Sequence, residues 1–171
     1  MIQLTHNDIK NNQKQFPITI VCDAIRTPEN IGMCFRISES FGVEKIYFHE
    51  NSPTLENRIV QKTARNTIHQ IEHDSYTDFT KTITQLKAEG NTIIGIEITD
   101  KSIDIQDFKF KNHEKIVLLL GSERNGIQNI DMVDHTIAIP MFGRNSSMNV
   151  IHSLAITLYE VTNQLAVGSE Q

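Results

Sequence analysis

Apolar residues follow two rhythms along this chain. Short runs rich in Val, Ile and Leu recur, and the stretches between them carry apolar residues at three- and four-residue steps. That alternation of buried strands with amphipathic helices predicts an α/β domain, with a mostly parallel sheet and helices on both faces. A first strand falls at residues 18–22. After Thr27-Pro28, a helix carries Ile31, Cys34, Phe35, Ser38 and Phe41 on one face and stops at Gly42. Residues 45–49 read as the second strand. Ser52-Pro53 reads as a helix start, with a serine able to cap and a proline tolerated in the first turn, and that helix is expected to run to about residue 64. Tyr76, Phe79, Ile83 and Leu86 place a further helix ahead of Gly90, followed by a strand at residues 92–98. The run IVLLL at residues 116–120 is too short for an ordinary helix and ends at Gly121, so it is expected to be a strand buried on both faces. A short strand at residues 136–139, a loop at residues 140–147 and a helix with Val150, Ile151, Leu154, Leu158, Val161 and Leu165 along one side complete the chain. No repeat, linker or low-complexity segment interrupts it, which predicts a single domain over residues 1–171 with only short extensions at the ends.

Composition changes this picture little. At 171 residues the chain can bury a core without disulfide staples. No apolar run approaches the ~18 residues of a membrane span. Residues 1–16 have neither an apolar signal-peptide region nor a small-residue cleavage site, so no secretory signal is expected and the cytoplasm is the expected compartment. Cys22 and Cys34 sit in apolar surroundings without zinc-ligand spacing and read as buried, reduced thiols, and no metal is expected. A net charge of -5 offers no overall basic surplus, so contact with a nucleic acid would need a local basic patch.

Three segments could carry chemistry. In Asn30-Ile-Gly-Met-Cys-Phe-Arg36, Asn30 lies near a helix start and Arg36 on the face opposite the apolar stripe; taken alone, one reads as a cap and the other as a solvated surface arginine. Gly121-Ser-Glu-Arg-Asn-Gly126 is a glycine-bracketed polar loop at the carboxyl end of a buried strand, where open α/β sheets bind ligands. It lacks both the lysine of a phosphate loop and the glycine order of a dinucleotide fingerprint, and alone it could be an ordinary turn. Ile139-Pro-Met-Phe-Gly-Arg-Asn-Ser-Ser-Met-Asn-Val150 joins a strand end, a polar loop and a helix N-terminus, whose unpaired N–H groups suit a polar ligand; Ser146, Ser147 or Asn149 could equally be helix caps.

Together, in this order and spacing, the three segments resemble the SpoU-type branch of the SPOUT RNA methyltransferases. That family carries an Asn-x-Gly-x-x-x-Arg helix, a Gly-x-Glu-x-x-Gly loop after a buried strand, and an Ile-Pro-Met strand end followed by Ser-Leu-Asn-Val. The resemblance spans roughly residues 18–161. Met148 stands where the family usually has leucine, a volume-preserving exchange, and Ile151 follows the valine where serine is frequent.

The resemblance implies an α/β sheet with a C-terminal trefoil knot, and transfer of a methyl group from S-adenosylmethionine to a ribose 2′-hydroxyl of tRNA or rRNA. It implies a homodimer, with no metal and no membrane. Carried over residue by residue, it assigns catalysis to Asn30, Arg36, Glu123, Ser147 and Asn149, and cofactor contacts to Ile98, Leu120, Gly121, Gly126, Ile139, Met141, Met148 and Asn149. A guanidinium is protonated throughout the neutral range, so Arg36 is expected to orient the ribose hydroxyl or its phosphate and stabilise the developing alkoxide, with Glu123 positioning it by a charge-assisted pair. For RNA, Arg58, Lys62 and Arg65 stand at helical steps as a basic stripe, and Arg26, Arg124 and Arg144 flank the motifs; the stripe could also be a solvated helix face. Competing readings are a knotted RNA-binding or assembly factor without chemistry, an unrelated nucleotide-binding α/β enzyme, and methylation of a base instead of a ribose.

Overall fold

A computed structural model describes residues 2–4, 8 and 13–167, so half of the segment on which the absence of a secretory signal is read lies outside the described residues. Seven strands alternate with helices: β1 (Phe16–Cys22), α1 (Pro28–Ser40), β2 (Val43–His49), α2 (Arg58–Ala64), β3 (Glu72–Tyr76), α3 (Phe79–Ala88), β4 (Thr92–Ile96), β5 (Ile103–Asp104), β6 (Ile116–Leu120), β7 (His135–Ala138) and α4 (Val150–Val167). They form one sheet in the order β3-β2-β1-β6-β4-β7-β5. Every pairing in it is parallel, in agreement with the expected fold class.

The central strands explain why their sequences are apolar throughout. Ile18, Ile20 and Cys22 of β1, with Ile116, Leu118 and Leu120 of β6, face one cluster that includes Phe35 of α1 and Leu154 and Leu158 of α4. Val21, Val117 and Leu119 point the other way, against Ile83 and Leu86 of α3. A strand covered on both faces needs apolar side chains at every position, and all five residues of β6 are buried. Helix α1 crosses α2 at Gly32, where an added Cβ would stand 2.6 Å from the Val60 carbonyl oxygen and 2.9 Å from the Ala64 nitrogen. Gly42, at φ 64°, ends the turn after α1 as expected.

Several expected boundaries move. The helix placed at Ser52-Pro53 begins instead at Arg58, because Asn57 caps it: the Asn57 side chain accepts from the Ile59 N–H at 2.8 Å. Tyr76 belongs to a strand and not to the following helix, whose cap is Asp78. Strand β3 itself, EHDSY, has no apolar alternation to announce it; four of its five residues are exposed and it lies at the sheet edge. The strand expected at 92–98 stops at Ile96, and that expected at 136–139 runs over His135–Ala138. The two-residue edge strand β5 gave no signal.

Candidate active site

β6 lies between β1 and β4, so the chain leaves β1 toward β2 and β3 on one side and later builds β4 and β7 on the other. At such a reversal the loops after neighbouring strands splay apart and leave a crevice at the carboxyl ends. A cleft of about 440 Å³ opens there, walled by the ends of β4, β6 and β7, the loop from Gly121 to Gly126 and the segment leading into α4. All eight residues expected to meet the cofactor line it: Ile98, Leu120, Gly121, Gly126, Ile139, Met141, Met148 and Asn149. Gly121 fits because its Cα faces the Gly126–Ile127 backbone so closely that a Cβ would lie 2.4 Å from the Ile127 nitrogen. Ser122 and Gly126 close the loop with reciprocal backbone hydrogen bonds of 3.1 Å.

Three of the five expected catalytic residues form one hydrogen-bonded chain. The Asn30 amide donates to Glu123 Oε1 at 2.9 Å, and the Asn149 amide donates to Asn30 Oδ1 at 3.3 Å. The side-chain oxygen of Asn149 accepts from the Ile151 N–H at 2.8 Å, so this residue caps α4 and joins the network at once. Glu123 also accepts from the backbone N–H groups of Arg26, at 3.2 Å, and Thr27, at 3.1 Å. Thr27 is the N-cap of α1 and makes no side-chain cap, so the carboxylate occupies the positive end of that helix. Partial burial works against the charge, but the Asn30 amide and the backbone donors outweigh it and hold the Glu123 pKa below the ordinary carboxylate value.

The expected Glu123–Arg36 pair does not form. Among the described residues the ion pairs are Lys45–Glu72 and Lys87–Asp134, and Glu123 is committed to Asn30 and backbone donors. Arg36, half-buried on α1, keeps its guanidinium without a protein partner among the described residues. Ser147 is exposed and lines the cleft alongside Glu123, Arg124 and Asn149; Asn30 and Arg36 stand outside its lining.

The basic residues divide. Arg26, Arg124 and Arg144 are exposed near the cleft loops, and Arg58 and Lys62 are exposed on α2. Arg65 does not continue their face: it is the C-cap, at φ 57° and ψ -128°, where the chain has left the helix. Cys22 and Cys34 are free and buried, their sulfurs 3.8 Å apart, and burial raises the Cys22 pKa, as inert thiols require.

Glu97 lines the cleft unforeseen. It stands in GIEIT with no motif around it, and the available signal was an acidic residue near the carboxyl end of an expected strand.

A 23S rRNA (guanosine-2′-O-)-methyltransferase RlmB of Neisseria meningitidis serogroup B is 27% identical over 166 residues, which are 96% of this chain and 65% of that protein. An uncharacterized tRNA/rRNA methyltransferase of Borreliella burgdorferi is 29% identical over 155 residues, 90% of this chain and 67% of that one. The chain thus spans about two thirds of the length of these relatives. Among solved structures, the TrmH/SpoU tRNA modifying enzyme of A. aeolicus superposes with a TM-score of 0.81 at 19% identity, over 92% of this chain and 79% of that one. The SpoU methyltransferase AviRb of Streptomyces viridochromogenes, in complex with AdoMet, gives 0.80 at 20% identity, over 96% and 66%. These likenesses establish a shared fold. The model of the SpoU rRNA Methylase family matches residues 17–159, and on that match, which takes in all three segments of the site, the chain belongs to the SpoU family.

Proposed function

We propose that this chain is an S-adenosylmethionine-dependent RNA methyltransferase acting on a ribose 2′-hydroxyl of tRNA or rRNA in the cytoplasm. The observation that carries the proposal is the Glu123–Asn30–Asn149 chain of hydrogen bonds, which ties α1, the Gly121–Gly126 loop and the start of α4 together beside the cleft.

The cleft fits the cofactor. Its volume falls within the ~300–1,000 Å³ of ordinary small-molecule sites. Leu120 and Ile139 offer apolar wall for a purine, while Gly121 and Gly126 leave the backbone bare. Ile98, Leu120, Gly121, Gly126, Ile139, Met141, Met148 and Asn149 would hold it. When bound, S-adenosylmethionine supplies a methyl group made electrophilic by its sulfonium. The residues do the rest by alignment. Glu123 holds Asn30 in place and fixes the start of α1, which carries Arg36. Arg36, with no protein partner for its guanidinium among the described residues, orients the ribose hydroxyl or an adjacent phosphate and stabilises oxygen charge as the hydroxyl proton passes to solvent water. Ser147 and Asn149 supply neutral hydrogen bonds at the rim. Arg26, Arg124 and Arg144 draw in the RNA backbone, and Arg58 and Lys62 extend that surface.

Two further parts of the proposal concern architecture. The C-terminal segment passes through a loop as a trefoil knot, a reading supported by family membership and by the packing of α4 back onto α1. The working unit is a homodimer, supported by Ile156 and Tyr159, which stand 39% and 60% exposed on α4.

The test is incubation of the protein with S-adenosylmethionine and unmodified tRNA or rRNA, digestion to nucleosides and mass spectrometry, with Arg36→Ala in parallel. A 2′-O-methylnucleoside from the wild type, falling at least ~100-fold in Arg36→Ala, is the expected outcome. A base-methylated nucleoside would replace the ribose assignment, and cofactor binding without product on either RNA would favour a knotted RNA-binding factor.

A further inference from the structure

We propose that Glu97 is the acceptor for the ribose hydroxyls of the bound cofactor, and so determines which nucleoside the cleft takes. The inference rests on the reading of the cleft as an S-adenosylmethionine site. Glu97 follows the last residue of β4 and is half-buried in the cleft wall. Its two oxygens are fixed separately: Oε1 accepts from the Ile98 N–H at 3.0 Å, and Oε2 accepts from the Ile127 N–H at 3.0 Å. The turn opposite is shaped to this carboxylate. Gly126 sits at φ +61°, and a Cβ there would run into Glu97 Oε2.

A carboxylate has about four acceptor positions, so two backbone donors leave about two open, one on each oxygen. Among the described residues no cation forms an ion pair with the group. The second carboxylate of the cleft, Glu123, is taken up by three donors from Asn30, Arg26 and Thr27. Glu97 is therefore the acid with capacity to spare. A pair of adjacent acceptors, held rigidly and aimed at a small-molecule cleft, matches a pair of adjacent donors, and the vicinal 2′- and 3′-hydroxyls of an adenosine are such a pair. Ribose recognition by a carboxylate at a strand end is a recurring solution in α/β sheets. The location agrees: Glu97 directly follows Ile96, which lines the cleft together with Leu120 and Ile139, so a sugar bonded to a purine on that wall meets the carboxylate before the methionine tail does.

The test is a titration-calorimetry cycle on the whole chain, with S-adenosylmethionine and its 2′-deoxy and 3′-deoxy forms as ligands and wild type and Glu97→Gln as proteins. On the wild type, each deoxy form is expected to bind at least about tenfold more weakly than the parent, the loss typical of a hydrogen bond to a charged group. Glu97→Gln is expected to weaken the parent by a similar factor and then to bind parent and deoxy forms alike. Deoxy forms that lose the same factor on both proteins overturn the inference, whether the carboxylate reads the methionine tail or only holds the Gly126 turn. Absence of S-adenosylmethionine binding by the wild type is a different result and removes the cofactor reading itself. Glu97→Asp, which keeps the charge and withdraws it by one methylene, carries the same cycle if the glutamine variant fails to fold.

Discussion

Glu123 ties the start of a helix and the polar network beside the cleft to one carboxylate. Its carboxylate receives the Thr27 N–H at the N-cap of α1 and the Asn30 amide inside the helix, so the residue that sets the network beside the cleft also anchors the helix that supplies Asn30. Because its pKa lies below the ordinary carboxylate value, the folded chain binds that proton less tightly than the unfolded chain does. The resulting stabilisation is complete above the ordinary value of 4.5 and is lost as pH falls through the depressed folded value. Urea midpoints measured across the acid limb are therefore expected to fall more steeply for wild type than for Glu123→Gln, which cannot titrate, and parallel curves would detach this group from stability. The sequence exposed Asn30, Glu123 and Asn149 through their motifs but left a cap as the alternative for the two asparagines and an ordinary turn for the loop of Glu123. In the fold Asn149 caps α4 and also donates to Asn30, a combination spacing cannot reveal because it depends on a partner 119 residues away. The Glu123–Arg36 pair failed for a related reason: proximity of motifs does not say which donor reaches a carboxylate first, and backbone N–H groups with no other partner win.

At the scale of elements, the crossing of α1 over α2 turns on Gly32. Alanine would improve helix propensity by ~1 kcal/mol. Its Cβ would, however, enter the space of the Val60 carbonyl and Ala64 nitrogen, backbone atoms that cannot rotate away. Overpacking of this kind costs ~1–3 kcal/mol or more, so Gly32→Ala is expected to destabilise the protein on balance by about 1–2 kcal/mol in chemical denaturation. A stabilised variant would mean that α2 shifts freely. The same crossing fixes α1, so the variant should also depress methyl transfer. Elements buried on both sides were the most legible: the IVLLL run appears as β6 with its bounds unchanged. Elements whose order comes from neighbours were not. β3 is held by pairing with β2 and by the Lys45–Glu72 ion pair at 2.8 Å, neither of which leaves a hydrophobic period in EHDSY. The start of α2 went astray because Ser52-Pro53 satisfies the local rules for a helix start, while Asn57 supplies the cap that forms.

For the whole molecule, the proposed dimer has a direct test. Tyr159→Asp places a charge on the exposed side of α4 without disturbing the buried Leu154, Leu158 and Val161, so light scattering is expected to find folded monomers in place of dimers. Unchanged mass would move the interface elsewhere. The sheet order has a further consequence, for synthesis on the ribosome. β1 is made well before one of its two partners, β6, with Ile18 beside Ile116 and Cys22 beside Leu120. At translation speeds of ~5–20 residues per second, the open edge of β1 waits several seconds for that partner to emerge. Until then β1, β2 and β3 can associate only as a half-sheet with one bare apolar margin. The nascent chain is thus vulnerable to aggregation between the synthesis of β1 and that of β6, and a message truncated before β6 would yield a product with no means of covering that margin.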